Sequence, residues 1–514
     1  MSSRRRERSI IPSAIAAAVA CTVALVACGQ HAAGAATSAL TGPSTARAIK
    51  HVPDGDWTQF DFNAARTGVG PAATGITPGR LSLLRLRQVH INGTVDASAI
   101  ALHGVKVRGR RRDIVVMTTT YGRTLALDPG TGARLWEFTP GDIGSYAGSA
   151  QVTTATPIAD PNRRYVYAAT PNGRIHKLSV ATGREIRSGH WPVRVTFDAT
   201  REKIASPLNI SGRSLIVVTG GYIGDAPPYQ GHVVVIGLSG GAILHVFNTL
   251  CSDRHSLINP PGGCPASDSA IWGRAGAVVE PGTHRILVAT GNAPFNGSTN
   301  WGDSTLELSP DASRLLHNWT PTNQAQLSSS DTDLGSTSPA VLPPYNGYRL
   351  AVQGSKDGHL HLLDLNRLNG TTGGASPRLG GELQNIATPG GGEVLTAPAV
   401  WGHGGRIYVF VADDSGTAAY VLTGSRPSLQ FVWQSSTPGT SPVLAGGLLY
   451  VYDELHGVLK VYFPVSGHIL ASLPAASGHW NSPIVVGGRI ILPVGTYHDQ
   501  SSSGVVLIYH LPGR

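Results

Sequence analysis

Helical periodicity is almost missing from this chain of 514 residues. Beyond the N-terminal stretch no apolar run repeats at helix spacing, which excludes a helical bundle and points to a nearly all-β protein. Cysteine is scarce, with four in all. There is no Cys-x-x-Cys-His, so no covalently held c-type haem, and no adjacent Cys-Cys pair. Charge is thin as well: charged residues make up 14% and the net charge is +9. The first 27 residues hold four arginines and one glutamate, +3 of that total, which leaves +6 for the rest. The densest basic run, Arg108–Arg112, lies between two expected strands and reads as a solvated hairpin tip. Nucleic-acid binding would need more clustering, aromatics or a known module, and is excluded.

Glycine and proline are plentiful, 64 and 35 residues, as a chain made of turns requires. "GRTLALDPGTGARLWEF" (Gly122–Phe138) reads as strand, Asp/Pro/Gly turn, strand. Drifted copies follow at Asn172–Ile186, Gln230–Phe247, Asp357–Gly370 and His456–Leu470. A second marker precedes each hairpin: a small residue, often Ser/Thr-Pro, and then an apolar strand. It occurs at Ser98, Thr156, Ser206, Ser338, Thr396, Ser441 and Ser482, and "WGRAGAVV" at Trp272 fills the one long gap. Eight markers, roughly 40–70 residues apart with about four strands each, mean propeller blades.

The last marker supplies only three strands before the chain stops, and Leu81–Ile91 is an orphan strand ahead of the first marker. Placing that strand outermost in the last blade closes the ring and removes two exposed edges. The expected fold is therefore an all-β, eight-bladed propeller of four-stranded antiparallel blades over residues 56–514. Such a size is tolerable because each blade packs mainly on its neighbours.

Residues 1–27 are a separate object. Arg4, Arg5, Arg6 and Arg8 precede an apolar stretch from Ile10 to Ala27, and "LVAC" ends at Cys28. This resembles the lipobox of bacterial lipoprotein signals and implies cleavage before Cys28 and a lipid on its sulfur. An ordinary signal or an uncleaved anchor is the alternative; Glu7 and Arg8 weaken a twin-arginine reading. The Ala/Ser/Thr/Gly-rich residues 28–55 read as a tether. With Cys21 and Cys28 so assigned, Cys251 and Cys264 remain to close a loop of 12 residues. In an exported chain that suggests a disulfide.

"ALDPGTGARLW" (Ala126–Trp136) resembles the docking repeat of the quinoprotein dehydrogenases, the pyrroloquinoline quinone (PQQ) propellers. The same repeat occurs in the non-enzymatic propeller lipoprotein of outer-membrane barrel assembly. Within the middle blades, "IWGRAGAVVEPGTHRILVATGNAPFN" (Ile271–Asn296) resembles the enzymes' segment with a tryptophan under the quinone and a calcium-binding Asn. The resemblance makes Trp272 that floor and Asn292 that ligand. "SSDTDLGSTSP" (Ser329–Pro339) falls where those enzymes keep a catalytic Asp, with Asp333 the best match and Asp331 the second. "SKDGHLHLLD" (Ser355–Asp364) makes Lys356 the contact to the quinone carbonyls. These types suit the chemistry: an aromatic floor for a flat ring, hard oxygens for calcium, a cation to polarise a carbonyl and a carboxylate to take a proton.

The pattern also departs from the family. The vicinal disulfide is missing, and Gly220–His232, where a calcium-binding Glu is expected, holds only Asp225 as a substitute. Each residue also has a plain structural role open to it: Trp272 packing between blades, Asn292 holding a turn, Asp331 and Asp333 bonding loop backbone, Lys356 in a solvated hairpin. "GLSGG" (Gly237–Gly241) matches a nucleophile elbow but sits in a hairpin turn instead of a strand-to-helix turn. His359 and His361 alternate on one strand without a third metal ligand. Two functions follow. The first is an exported, lipid-anchored, monomeric scaffold that binds an envelope protein or polymer. The second is a PQQ- and calcium-dependent dehydrogenase acting on an alcohol, sugar or polymer.

Overall fold

Each of the eight markers opens the first strand of a four-stranded antiparallel sheet. The computed structural model describes residues 55–222, 226–260, 262–370, 378–496 and 503–513. The expected signal, Cys28, the tether up to residue 54, and Asp225 lie outside the described residues. Blade 1 comprises Ile100–Val107, Arg110–Thr118, Thr124–Leu127 and Arg134–Phe138. Blades 2 to 7 lie within residues 158–194, 209–248, 278–319, 340–387, 399–435 and 443–474. Blade 8 takes Ile484–Val486, Arg489–Val494 and Ser503–His510, and its outermost strand is Arg85–Asn92 from the start of the described chain. That strand pairs antiparallel with the last one, from Arg85 opposite His510 to Asn92 opposite Ser503. The ring therefore closes as expected, four residues later than Leu81, because Pro78–Leu83 forms a 3-10 turn.

Burial grades outward along each blade. Second strands such as Leu448–Asp453 and Ile286–Ala289 are buried throughout, covered by a blade on either side. They accordingly read as unbroken apolar runs. The outermost Arg85–Asn92 is largely exposed and alternates.

Two local devices join the blades. In the repeat's hairpin, Trp136 donates its indole N–H to Val180 O at 2.9 Å in blade 2. Its ring lies against Gly183, whose φ is +71° and where a Cβ would stand 2.7 Å from the indole. Only glycine satisfies both demands. Trp433 repeats the arrangement with Pro464 O at 2.7 Å. The second device uses the marker's small polar residue. Ser98 N–H donates to Thr156 Oγ1 (3.1 Å), Ser206 Oγ to Gly273 O (2.9 Å), and Ala397 N–H to Ser441 Oγ (2.9 Å). Ser482 N–H donates to Ser98 Oγ at 3.2 Å, linking the last blade to the first.

A strap that no pattern in the sequence announced runs before the first blade. Backbone bonds tie Trp57 to Ala101, Thr58 to Ala159, Ala64 to Val279, Thr67 to Val400, Gly68 to Leu444 and Thr74 to Gly488. It thus adds to the innermost strands of blades 1, 2, 4, 6 and 7 and, in blade 8, to the first hairpin. Arg66, 1% exposed, fastens it. Its guanidinium donates to Phe60 O (2.6 Å), Leu208 O (2.7 Å) and Ala275 O (3.2 Å). Burial lowers its pKa to about 10, against the opposing pull of Asp61, so it stays charged at neutral pH. Arg66→Ala leaves three buried carbonyls without a donor and should cost about 3–5 kcal/mol. The urea midpoint should fall with an unchanged m-value.

Candidate functional site

The opposite ends of the innermost strands gather a different set of side chains. Trp272 stands just ahead of the first strand of blade 4, and Asn292 follows that blade's second strand, Ile286–Ala289. Asp333 precedes a 3-10 turn, Leu334–Ser336, on the way to blade 5. Lys356 lies in the hairpin after Leu350–Gly354 of blade 5. The fold brings all four together. Lys356 Nζ donates to Asp333 Oδ2 at 2.5 Å and lies 5.2 Å from the centre of the Trp272 ring. Asp333 Oδ1 accepts the Asn292 backbone N–H at 2.9 Å. Asn292 Nδ2 donates to Asp331 Oδ1 at 3.1 Å, so the second acidic candidate joins the group. Asn292 Oδ1 is buried and has no hydrogen-bond partner. Gly291 makes the close approach possible, since a Cβ there would come within 2.3 Å of Asp333 Oδ1.

The electrostatics follow from this geometry. Burial works to lower the Lys356 pKa, but Asp333, with Asp331 and Glu393, outweighs it and holds the ammonium above its ordinary value. Lys356 is charged across the neutral range. Asp268 is raised by burial and by Asp333 against a hydrogen bond from Ser267.

Two carboxylates escaped the sequence reading. Asp303, fully buried, accepts Leu334 N–H at 3.2 Å and Gln324 Nε2–H at 3.4 Å beneath the Asp333 turn. Glu202 lies in a short strand, Glu202–Lys203, paired with Gly220–Gly221. It therefore adjoins the segment where a calcium-binding Glu was expected, although it comes from an earlier part of the chain. Its oxygens are already taken, by Thr196 Oγ1, by Gln230 N–H (3.0 Å) and by His232 Nε2 (3.2 Å). It is a structural carboxylate. Neither position belongs to a motif, so only the tertiary pairing reveals it.

The fit to a quinone and a metal can be tested on these observations. The Trp272 face, the Lys356 cation and the oriented Asp333 carboxylate suit a flat, oxygen-rich ring. The orphaned Asn292 Oδ1 suits a hard cation. Among the described residues no group of three or more His, Cys, Asp or Glu is arranged around a metal position. Asn292 Oδ1 is the one buried side-chain oxygen of this cluster without a partner, and Asp225 lies outside the described residues.

Cys251 and Cys264 form the expected disulfide, with Cα atoms 6.0 Å apart. Cys264 packs with Leu250, Ile258 and Ala293, so the loop buttresses the chain next to Asn292. Gly237–Gly241 is a hairpin turn between strands His232–Gly237 and Ile243–Asn248. His361 is buried, 4.7 Å from the Trp319 ring centre, and burial lowers its pKa to about 4.

A family model described as outer membrane protein assembly factor BamB, of the PQQ-repeat type, matches residues 89–244. The quinoprotein alcohol dehydrogenase PedH of Pseudomonas putida is 25% identical over 253 residues. The chain is an eight-bladed β-propeller with PQQ-type repeats matched over residues 89–244. The match to PedH covers 41% of this chain and 39% of that protein, so the chain spans well under half the length of its curated relative. The quinohemoprotein alcohol dehydrogenase of Comamonas testosteroni superposes with a TM-score of 0.63 at 14% identity, covering 90% of this chain and 81% of that one. A europium-containing methanol dehydrogenase gives 0.65 at 15% identity, covering 90% and 99%. These two likenesses concern the fold.

Burial raises the Asp303 pKa to about 8, against the Leu334 and Gln324 hydrogen bonds, from an unfolded value of 3.8. The folded chain thus keeps this carboxyl neutral where the unfolded chain ionises it. Its contribution to stability is complete below about pH 4, falls as pH rises and levels off above about 8. Urea midpoints at pH 5 and pH 8 should show Asp303→Asn gaining on the parent, by at most about 1.4 kcal/mol per pH unit.

Proposed function

We propose that this chain is an exported quinoprotein that binds PQQ with calcium at the Trp272 end of the ring and oxidises an alcohol, sugar or polymer. The convergence of Trp272, Asn292, Asp333 and Lys356 carries this reading, because four residues marked only by local resemblance meet at one place. PQQ, when bound, supplies a carbonyl that accepts hydride. Trp272 offers the stacking face, and Lys356 brings positive charge beside that carbonyl. Asn292 Oδ1 would hold calcium. Asp333, aimed by the Asn292 N–H and the Lys356 ammonium, accepts the proton of the substrate hydroxyl at a carboxylate oxygen. Asp331 holds the Asn292 side chain in place.

A non-catalytic envelope scaffold is the second reading, supported by the family model over residues 89–244 and its printed description. PQQ titration of the purified protein, with and without calcium, separates the two. Calcium-dependent binding is expected, and Trp272→Ala should weaken it by about 1–3 kcal/mol, as stacking on aromatics does. Asp333→Asn should bind PQQ yet fail in dye-linked alcohol oxidation. Absence of uptake in calcium leaves the scaffold.

Anchoring belongs to the same proposal. The lipobox at Cys28 supports a lipid on that sulfur as the link to the cell envelope. Intact mass of membrane-extracted protein should exceed the 28–514 chain by a diacylglyceryl group. An unmodified or internal Cys28 would contradict it.

A further inference from the structure

On the strap side of the ring, two adjoining hollows flank the first hairpin of blade 1. One, of about 650 Å³, is lined by Arg110, Arg111, Arg112 and Arg489, with Asp113 and Asp128. The other, of about 510 Å³, shares Gly104 and Arg111 and adds Lys106, Arg163 and Arg164. Part of this charge is neutralised within the fold: Arg112 lies 3.6 Å from Asp128 and Arg163 2.7 Å from Asp56. Lys106, Arg110 and Arg111 are exposed and have no acidic partner among the described residues.

The register makes that excess costly. Lys106 sits directly opposite Arg111, and Arg110 opposite Val107, across the first two strands. Like charges facing each other across a ladder are destabilising. No feature of the fold calls for the pair, since the side chains point into solvent and the hairpin would form equally well with uncharged polar residues. A bound anion removes the cost.

Position identifies the anion. The described chain starts at Gly55, where a Cβ would lie 3.2 Å from His103, a residue lining the larger hollow. Asp56 accepts the His103 N–H at 2.6 Å. The described chain therefore starts at the rim of the basic hollow, and a lipid on Cys28 would keep this rim within a tether's reach of a membrane.

We propose that the Lys106–Arg110–Arg111 face docks on anionic phospholipid headgroups and holds the ring with its Trp272 end directed away from the bilayer. The orientation rests on the lipid-anchor reading; the binding of anionic lipid does not. Surface attraction of this kind acts within a Debye length of the membrane and weakens with salt.

The test uses the chain from residue 29 onward, which carries no lipid and keeps the whole described body, in sedimentation with vesicles. Binding is expected to phosphatidylcholine vesicles containing phosphatidylglycerol, to fall with added salt, and to be lost with phosphatidylcholine alone. Lys106→Gln/Arg110→Gln/Arg111→Gln should weaken it by about 100-fold, from roughly fivefold per basic residue. Arg201→Gln/Arg254→Gln, outside this hairpin, should bind as the parent does. Lys106→Gln alone should melt no lower than the parent, because it relieves a like-charge pair. Equal binding to both vesicle types, no binding at low salt, or an unaffected triple variant would overturn the proposal. So would capture of soluble polyaspartate in preference to vesicles, which would make the partner an acidic polymer. Failure here leaves the acylation of Cys28 to be decided by intact mass alone.

Discussion

The ring is held together by small polar groups passed from blade to blade. Ser98 reaches Thr156, Ser206 reaches Gly273, Ser441 receives Ala397, and Ser482 returns to Ser98. These bonds are buried, so leaving one unmade costs more than a surface hydrogen bond would gain. They set the first strand of each blade against its neighbour near the axis. Tryptophan–glycine contacts such as Trp136 on Gly183 do the same work further out. The strap and the Trp272 cluster both depend on this frame, because each is assembled from residues belonging to several blades.

Much of the architecture was legible because it is written in short-range signals. A Ser/Thr-Pro marker and a Gly/Asp turn are local, and each serves a contact repeated around the ring. The closing strand was legible from the count of strands in the last blade. The strap was not, since the segment from Trp57 to Thr74 alternates in no regular way and its bonds run to partners up to several hundred residues on. Arg66 looks like any arginine until its three carbonyl partners are seen. The site divides in the same fashion. Trp272, Asn292, Asp333 and Lys356 stood out through resemblance, but their meeting required the fold. Asp303 and Glu202 carry no motif, and only burial and pairing mark them.

The candidate site also shows how neighbouring groups settle one another's charge. Lys356 and Asp333 form a tight pair, and the backbone N–H of Asn292 takes the other carboxylate oxygen. Asp303, a short distance beneath, is held protonated up to about pH 8 by its burial. Three aspartates within one turn of chain and its floor thus have separate environments: Asp331 tied to an amide, Asp333 to an ammonium and Asp303 to a dry interior.

The strap has a consequence for traffic. It runs along the innermost strands of five blades, with Arg66 and Phe60 buried within it. Phe60 shares a buried cluster with Leu334, the residue after Asp333, so packed chain backs the Trp272 cluster on the strap side. A molecule that reaches Asp333 meets packed chain on that side and has no way onward through the strap, so traffic there is an exchange and not a passage.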